Sequence, residues 1–257
     1  MSTGPIFIAG AATGVQLPAA LSLVDRELSD ETRASAAATT QVLQPRKKTR
    51  SDSPDRLWWV LAIPSFIIAG YAIFFIVAAP PGDPSVKARV LASWLGVMHV
   101  TGSLVALGVG PLQFHVGLRR HRPAVHRWVG RVYVAGIFVG GFGGFSTSLN
   151  SISYPIGDYG FAVLAGAWIV TASLAMSAIW RGDVQGHRKW MIRNFAMTWA
   201  AVMLRWQLIL LIFLGLTHEG ALTITAFSSW IPNLFFVEWW MKRTSSKTTV
   251  VMSGQSQ

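Results

Sequence analysis

Six apolar stretches fill almost the whole chain after Arg56, and each is about as long as a membrane-crossing helix. The hydrocarbon core of a bilayer is about 30 Å thick, which roughly 20 helical residues span. The stretches are Leu57–Ala78, Val90–Leu112, Trp128–Leu149, Tyr159–Trp180, Trp190–Leu214 and Ala221–Met241. The sequence therefore predicts an all-α integral membrane protein, a bundle of six transmembrane helices in a lipid bilayer.

The composition agrees with this fold and excludes several functions. Hydrophobic residues make up 52% of the chain and charged residues only 13%, which is too apolar for the surface of a water-soluble domain. The net charge of +11 lies mainly at the ends of apolar stretches, so topology and lipid headgroups explain it and nucleic acid is not an expected partner. With no cysteine, disulfides, thiolate catalysis and iron–sulfur clusters are excluded, and histidine is the main soft ligand.

Basic residues are distributed unequally between the two sides of a six-span topology. One side has only Lys87 and Arg89 in its first joint and no Lys or Arg in the other two. Because positive charge is retained on the cytoplasmic side, we expect both termini to be cytoplasmic. The basic side carries Arg46, Lys47, Lys48, Arg50, Arg56, Arg119, Arg120, Arg122, Arg127, Arg181, Arg188, Lys189, Lys242, Arg243 and Lys247.

The chain divides into a membrane domain and two polar tails. Residues 1–55 are rich in Ala, Ser, Thr, Gln and Pro without a hydrophobic period, which predicts a disordered cytoplasmic tail. A cleaved signal sequence is the less favoured alternative, because the apolar run from Gly4 to Leu23 lacks a basic start and contains Gly and Pro. The membrane domain covers residues 56–243, and residues 244–257 form a second tail that we expect to be disordered.

The membrane domain partly repeats itself. His126, Arg127, Trp128 and Arg131 begin the third span, and His187, Arg188, Trp190 and Arg193 begin the fifth. Two helix hairpins in the same orientation are therefore expected, related by a pseudo-two-fold axis along the membrane normal. Small residues recur every four positions in two spans, which favours close helix contact over a flat cofactor. They are Gly102, Ala106 and Gly110 in one span and Gly136, Gly140 and Gly144 in the other.

Four polar residues within the apolar stretches require partners. His99 and Arg205 are expected at similar depth near the middle of the bilayer. Arg205 has three alternative partners: neighbouring carbonyls with a reach to the headgroups beside Gln207, an acidic side chain such as Asp158, or an anionic ligand. For Arg193 and Glu238 we favour a structural ion pair over a proton relay.

Several of these residues resemble a known family. The resemblance covers most of the chain from the second span onward, and it is to the predicted membrane proteins grouped as domain of unknown function 2306. That title implies a multi-span membrane protein of unsettled activity. The matching residues are His99, Thr101-Gly102, 110–114, Arg119, 126–134, 187–194, Arg205, Asn233 and Glu238.

The repeat nominates His126 and His187 as axial ligands of one b-type haem for membrane electron transfer. The plan looks like six-helix cytochrome b561 and ferric-reductase-like domains, with His99 and Arg205 as further cofactor-binding candidates. The two histidines are expected just before their helices, where capping or headgroup anchoring is the alternative interpretation. A zinc or iron site that adds His115 is a weaker alternative.

The second functional hypothesis is a non-enzymatic carrier, sensor or assembly factor. Its small-ligand cavity is lined by His99 and Arg205. No phosphate-binding loop, HExxH or nucleophile elbow occurs, so the sequence does not assign an enzymatic reaction. The sequence does not identify the redox partner or ligand, and it is compatible with a homo-oligomer.

Overall fold

The computed structural model describes residues 31, 32, 35, 56–78, 84–149 and 153–253. The chain forms two compact units, Met1–Ser53 and Pro54–Gln257, and the helical bundle belongs to the second. In the first unit, the three described residues are helical. The remainder of the predicted disordered tail, residues 1–55, lies outside the described residues.

Between residues 56 and 253, the described part of the chain forms ten helices and no strand. They are α1 (Arg56–Val77), α2 (Pro84–Ala92), α3 (Trp94–Phe114), α4 (Val116–His121), α5 (Pro123–Ser148), α6 (Pro155–Trp180), α7 (Val184–Thr198), α8 (Ala200–Phe213), α9 (His218–Ser228) and α10 (Ile231–Ser253).

These helices form six spans that are long and apolar enough to cross a membrane, which confirms the predicted architecture. The spans are Trp58–Val77, Trp94–Phe114, Pro123–Ser148, Pro155–Trp180, Val184–Phe213 and His218–Thr244. The fifth consists of α7 and α8, separated at Trp199, and the sixth of α9 and α10, separated at Ser229 and Trp230. The short helices α2 and α4 lie in the joints.

Span boundaries differ from the predicted ones because polar residues at the interface continue the helices. Pro123 and Pro155 occupy the first turns of α5 and α6, where the fixed φ of proline suits a helix start. Asp183 caps α7 by accepting a hydrogen bond from Gly186 N at 2.7 Å. At the second span, Ser93 has extended backbone, so this span begins at Trp94 and not at Val90.

The last helix also extends further than expected. Residues 244–253, predicted as a disordered tail, continue α10 to Ser253, and residues 254–257 lie outside the described residues. The Arg243 guanidinium lies 4.5 Å from the centroid of the Trp239 ring, and Thr244 Oγ1 donates to Trp240 O at 3.0 Å. Both contacts stay within the helix and support its continuation.

Helices α3 and α5 pack antiparallel through the predicted small-residue stripes. A Cβ on Gly136 would lie 2.9 Å from Gly102 O, and a Cβ on Gly140 would lie 2.7 Å from Ser103 N. Side chains cannot fit at such a contact, so the two backbones touch directly. The stripes therefore serve helix packing.

Helices α5 and α7 run parallel, as the sequence repeat predicts. Tyr133 on α5 bonds Asn194 on α7, 61 residues later in the chain. His126 and His187, which are also 61 residues apart, lie two turns earlier on the same helices. The two Trp-x-x-Arg segments even make the same contact, because Arg131 lies over Trp128 at 5.3 Å and Arg193 over Trp190 at 4.7 Å.

A buried polar network joins α5, α6 and α7 at the centre of this repeat. Tyr133 Oη donates to Asn194 Oδ1 at 2.8 Å and lies 2.7 Å from Thr198 Oγ1, which also accepts from Trp168 Nε1 at 2.8 Å. Asn194 Nδ2 donates to Trp168 O at 2.8 Å and Thr171 Oγ1 at 2.9 Å. Each member is satisfied by another helix, so the network fixes the lateral order of the three.

We expect Gly140→Ala to destabilise the bundle by about 1–3 kcal/mol, because the new methyl group must push apart two backbones in contact. The free energy of unfolding in mixed detergent micelles measures this. Gly166→Ala is the matched control, since nothing lies within 4 Å of its added Cβ. Equal stability of the two variants would contradict the proposed packing.

Tyr133→Phe removes one hydroxyl from the network and keeps the ring. We expect a loss of about 1 kcal/mol in unfolding free energy, because the amide of Asn194 loses a buried partner. Tyr159→Phe is the control, since Tyr159 is 67% exposed. In a double-mutant cycle with Thr198→Val, the two changes should be non-additive, and strict additivity would show that the hydroxyls do not interact.

Candidate functional site

The basic end of the bundle is where α1, α5 and α7 begin and α3 and α6 end. The turn between α3 and α5 is fixed there by His115, whose Nδ1 accepts from Leu118 N at 3.1 Å and caps α4. The His115 ring also packs edge-on against Trp58 at 5.1 Å. This end carries Arg119, Arg120, Arg122, Arg127, Arg181, Arg188 and Lys189.

His126 and His187 lie together at this end. Each is the fourth residue of its helix, α5 or α7, so the expectation that they precede their helices is wrong. The helix caps are Arg122 and Asp183, which excludes the capping interpretation for both histidines. Both are half-buried, and they are close enough for their charges to interact.

The two imidazoles differ in their hydrogen bonds. His187 Nδ1 lies 2.9 Å from Ala175 O. A carbonyl only accepts, so Nδ1 carries the hydrogen in this contact and Nε2 keeps a lone pair. His126 Nδ1 is buried without a hydrogen-bond partner in the described part of the chain. Buried polar atoms of this kind are rare and call for a water, an ion or a ligand.

A second unpartnered polar atom lies close to His126. Gln113 Nε2, near the end of α3, is also buried without a partner among the described residues. Its amide lies over Gly130, one turn after His126, because a Cβ on Gly130 would be 3.2 Å from Gln113 Oε1. We call His126, His187 and Gln113 the basic-end site.

A metal site built from three histidines is not formed. Within the described residues, no group of three or more His, Cys, Asp or Glu side chains could hold a metal ion. His115 instead uses Nδ1 to cap α4. The zinc or iron alternative with His115, His126 and His187 is therefore wrong, whereas a two-imidazole haem site needs no third protein ligand.

Arg193 and Glu238 form a bidentate ion pair between α7 and α10. Arg193 Nε lies 2.5 Å from Glu238 Oε1, and Nη2 lies 3.0 Å from Oε2. The Arg193 guanidinium also lies over Trp190. Both charges are therefore compensated within the bundle, which suits a structural role.

The other polar site lies towards the opposite end of the bundle, where α1 ends and α3 begins. His99 Nδ1 lies 2.9 Å from Gly140 O, in a notch where a Cβ on Gly144 would be 2.6 Å from the same nitrogen. Arg205 on α8 lies close enough to His99 for their charges to interact, and Tyr71 on α1 lies near Arg205. We call these three residues the intramembrane cluster.

The three members lie at similar depth. With a rise of about 1.5 Å per residue, Tyr71 lies about 9 Å from the end of α1 and His99 about 8 Å from the start of α3. Arg205 lies about 12 Å from the end of α8 by the same rise. The cluster thus lies closer to the membrane surface than the midplane position expected from the sequence, because α3 begins at Trp94 and not at Val90.

Arg205 makes one hydrogen bond within the described residues, from Nη1 to Ala201 O at 3.4 Å. Its side chain therefore points back along the fifth span, away from the nearer end of that span at Phe213. Gln207 bonds Ser228, and Asp158 accepts from Ser153. The expected carbonyl partner is therefore present at Ala201 O, whereas Arg205 forms no ion pair with Asp158 within the described residues. An uncompensated Arg costs at least about 2.5 kcal/mol in a membrane. One long bond compensates Arg205 only in part, and the anionic ligand stays a prediction.

Two features of these sites were not assigned from the sequence. Gln113 was recognised within a motif but had no role, although a lone amide at the end of an apolar span is a detectable signal. Tyr71 was missed because a tyrosine in an apolar span resembles a packing residue. Their proximity to His126 and Arg205 depends on tertiary structure alone.

Comparison with known proteins covers most of the membrane domain. The model of a family described as "Predicted membrane protein (DUF2306)" matches residues 96–241, from the second span into the sixth. No curated protein and no solved structure matches the chain. The match includes His99, His126, His187, Arg205 and Glu238. With more than half of its length matched, the chain belongs to the DUF2306 family of predicted membrane proteins, as a multi-pass protein with six apolar spans.

Proposed function

We propose that this membrane protein binds one b-type haem at the basic-end site and transfers electrons through it. The observation that carries the proposal is that His126 and His187 are close enough for their charges to interact, and that His126 Nδ1 is buried without a partner among the described residues. A bis-histidine haem needs two imidazole ligands, and His126 and His187 would supply them from two parallel helices. When bound, haem supplies reversible one-electron chemistry.

The chain's own residues suit the two ligand roles. The carbonyl of Ala175 orients His187 and leaves its Nε2 available, which is the usual outer support of a metal-binding imidazole. His126 Nδ1 is buried without a hydrogen-bond partner in the described part of the chain. Arg119 and Arg127 interact electrostatically with His126, and their positive charge suits the propionate groups of haem.

The apolar walls of this site differ from those expected. The glycine stripes of α3 and α5 are occupied by their mutual contact, so they do not form a flat surface for a macrocycle. The walls must come from the faces of α5 and α7 around the two histidines. In this proposal, the similarity to cytochrome b561 is limited to imidazole pairing within a helical bundle.

Haem binding is tested on full-length protein purified in detergent from haem-replete cells. We expect a Soret band that shifts on reduction and about one haem per chain, as a single ligand pair implies. His126→Ala and His187→Ala should each lose this spectrum, because each removes one axial ligand. His121→Ala is the matched control, since His121 is exposed at the same end of the bundle.

Tryptophan fluorescence and gel filtration establish whether each variant is folded. A colourless wild-type protein would refute haem binding. Coloured His126→Ala and His187→Ala variants with wild-type spectra would refute the assignment of the ligands.

We also propose that the basic end, with both termini, faces the cytoplasm, since its excess of Arg and Lys follows the positive-inside rule. The chain has no cysteine, so a single introduced thiol reports its own side. We expect a membrane-impermeant maleimide to label Glu219→Cys in intact cells and to label Arg181→Cys only after lysis. The reverse pattern would invert the topology.

A second candidate function is a non-enzymatic carrier, sensor or assembly factor. It is favoured by a different observation: Arg205 lies near His99 and makes only one long hydrogen bond within the described residues. This function uses the intramembrane cluster and does not require haem.

A further inference from the structure

We infer that the intramembrane cluster binds the carboxyl head of a single-chain fatty acid that enters sideways from the bilayer. The inference rests on the second candidate function and gives it a ligand class. It is independent of haem, because Tyr71, His99 and Arg205 belong to α1, α3 and α8, whereas the histidine pair belongs to α5 and α7.

Because Arg205 is positively charged, the ligand that it binds should carry a negative charge. Arg193–Glu238 is the one salt bridge within the described residues, so no protein carboxylate pairs with Arg205. A guanidinium offers five N–H donors in a planar fork, and Arg205 uses one in a long bond to its own helix. Such a fork fits a carboxylate with two parallel hydrogen bonds.

His99 supplies a proton acceptor for a fatty acid that arrives un-ionised. Its Nδ1 contacts Gly140 O, so Nε2 keeps a lone pair and has no partner within the described residues. A fatty acid arriving from hydrocarbon is neutral, and its O–H proton can pass to Nε2. The products are an imidazolium and a carboxylate, and the carboxylate lies between two cations.

The arrangement of the helices provides access from lipid. Helix α1 packs against both α3 and α8, whereas α3 and α8 share no extensive interface. His99 is exposed, Arg205 is only half-buried, and Tyr71 is 40% exposed. The cluster therefore lies at the membrane-facing surface of the bundle and not in the packed core.

The apolar surroundings favour an acyl chain over a soluble anion. On α8, the residues beyond Arg205 are exposed and apolar, including Trp206, Ile209 and Phe213. A water-soluble anion would have to lose its hydration to reach this depth, whereas a fatty acid brings an apolar tail that stays in lipid.

The experiment uses full-length protein in lipid nanodiscs and cis-parinaric acid, a fluorescent fatty acid, as the probe. We expect saturable binding that oleate displaces. Methyl oleate, which lacks the ionisable head, and sodium acetate, which lacks the tail, should not displace it at the same concentration. Equal displacement by methyl oleate would overturn the role of the carboxyl group, and equal displacement by acetate would overturn entry from lipid.

Variants connect the binding to the cluster. Arg205→Gln should weaken binding about tenfold or more, the effect expected for loss of a charge-assisted hydrogen bond. Arg181→Gln is the matched control, because Arg181 is an exposed arginine outside the cluster. If Arg205→Gln does not fold, Arg205→Lys keeps the charge without the fork and should bind more weakly than wild type, as should His99→Gln.

Unchanged affinity in folded Arg205→Gln or, where that variant does not fold, in Arg205→Lys would overturn the inference. The double variant His126→Ala/His187→Ala should bind the probe normally. This separates the two proposals, because each site can then fail without the other.

Discussion

Direct backbone contact between α3 and α5 determines much of the architecture. It requires glycine at Gly102, Gly136 and Gly140, since any side chain there would meet the facing backbone. In lipid, where the hydrophobic effect does not drive helices together, such close packing is a main source of association. The contact also creates the notch in which His99 lies against Gly140 O. One feature of the sequence thus fixes both the stability of a hairpin and the orientation of a functional candidate.

The same contact is linked to the second hairpin. Gly110 leaves space that the rings of Tyr133 and Phe195 occupy, and these rings belong to α5 and α7. Tyr133 then bonds Asn194 and Thr198, which fixes the parallel arrangement of the two helices. That arrangement brings the two basic-end histidines together. The glycine contact and the hydrogen bonds of Tyr133 therefore act together to set the arrangement of α3, α5 and α7.

The sequence predicted the span count and the paired hairpins, because hydrophobic length and repeated motifs are local signals. The small-residue stripes were also readable, since their four-residue spacing places them on one helix face. Helix starts were predicted less well. Polar residues such as His126 and His187 were placed outside the helices, whereas interfacial proline and Asp183 begin the helices earlier.

The partners of polar side chains could not be predicted in the same way. The ion pair of Arg193 and Glu238 followed from two opposite charges expected at one depth. The lack of an ion pair at Arg205 depended on where Asp158 and Gln207 found other partners. Asp158 accepts from Ser153 just before its own helix, and Gln207 accepts from Ser228 on the next span. Which of several possible partners a polar side chain takes is decided only in the assembled bundle.

The first helix lies outside the family match, which begins at residue 96, yet it holds several parts of the bundle in place. Trp58 Nε1 donates to Pro111 O at 2.7 Å, and Leu61 O accepts from Trp199 Nε1 at 3.3 Å, where the fifth span is interrupted. The α1 segment therefore contacts both the end of α3 and the junction between α7 and α8. A relative with a different first helix would keep the glycine contact and the buried network, but it would present the intramembrane guanidinium to a differently shaped wall.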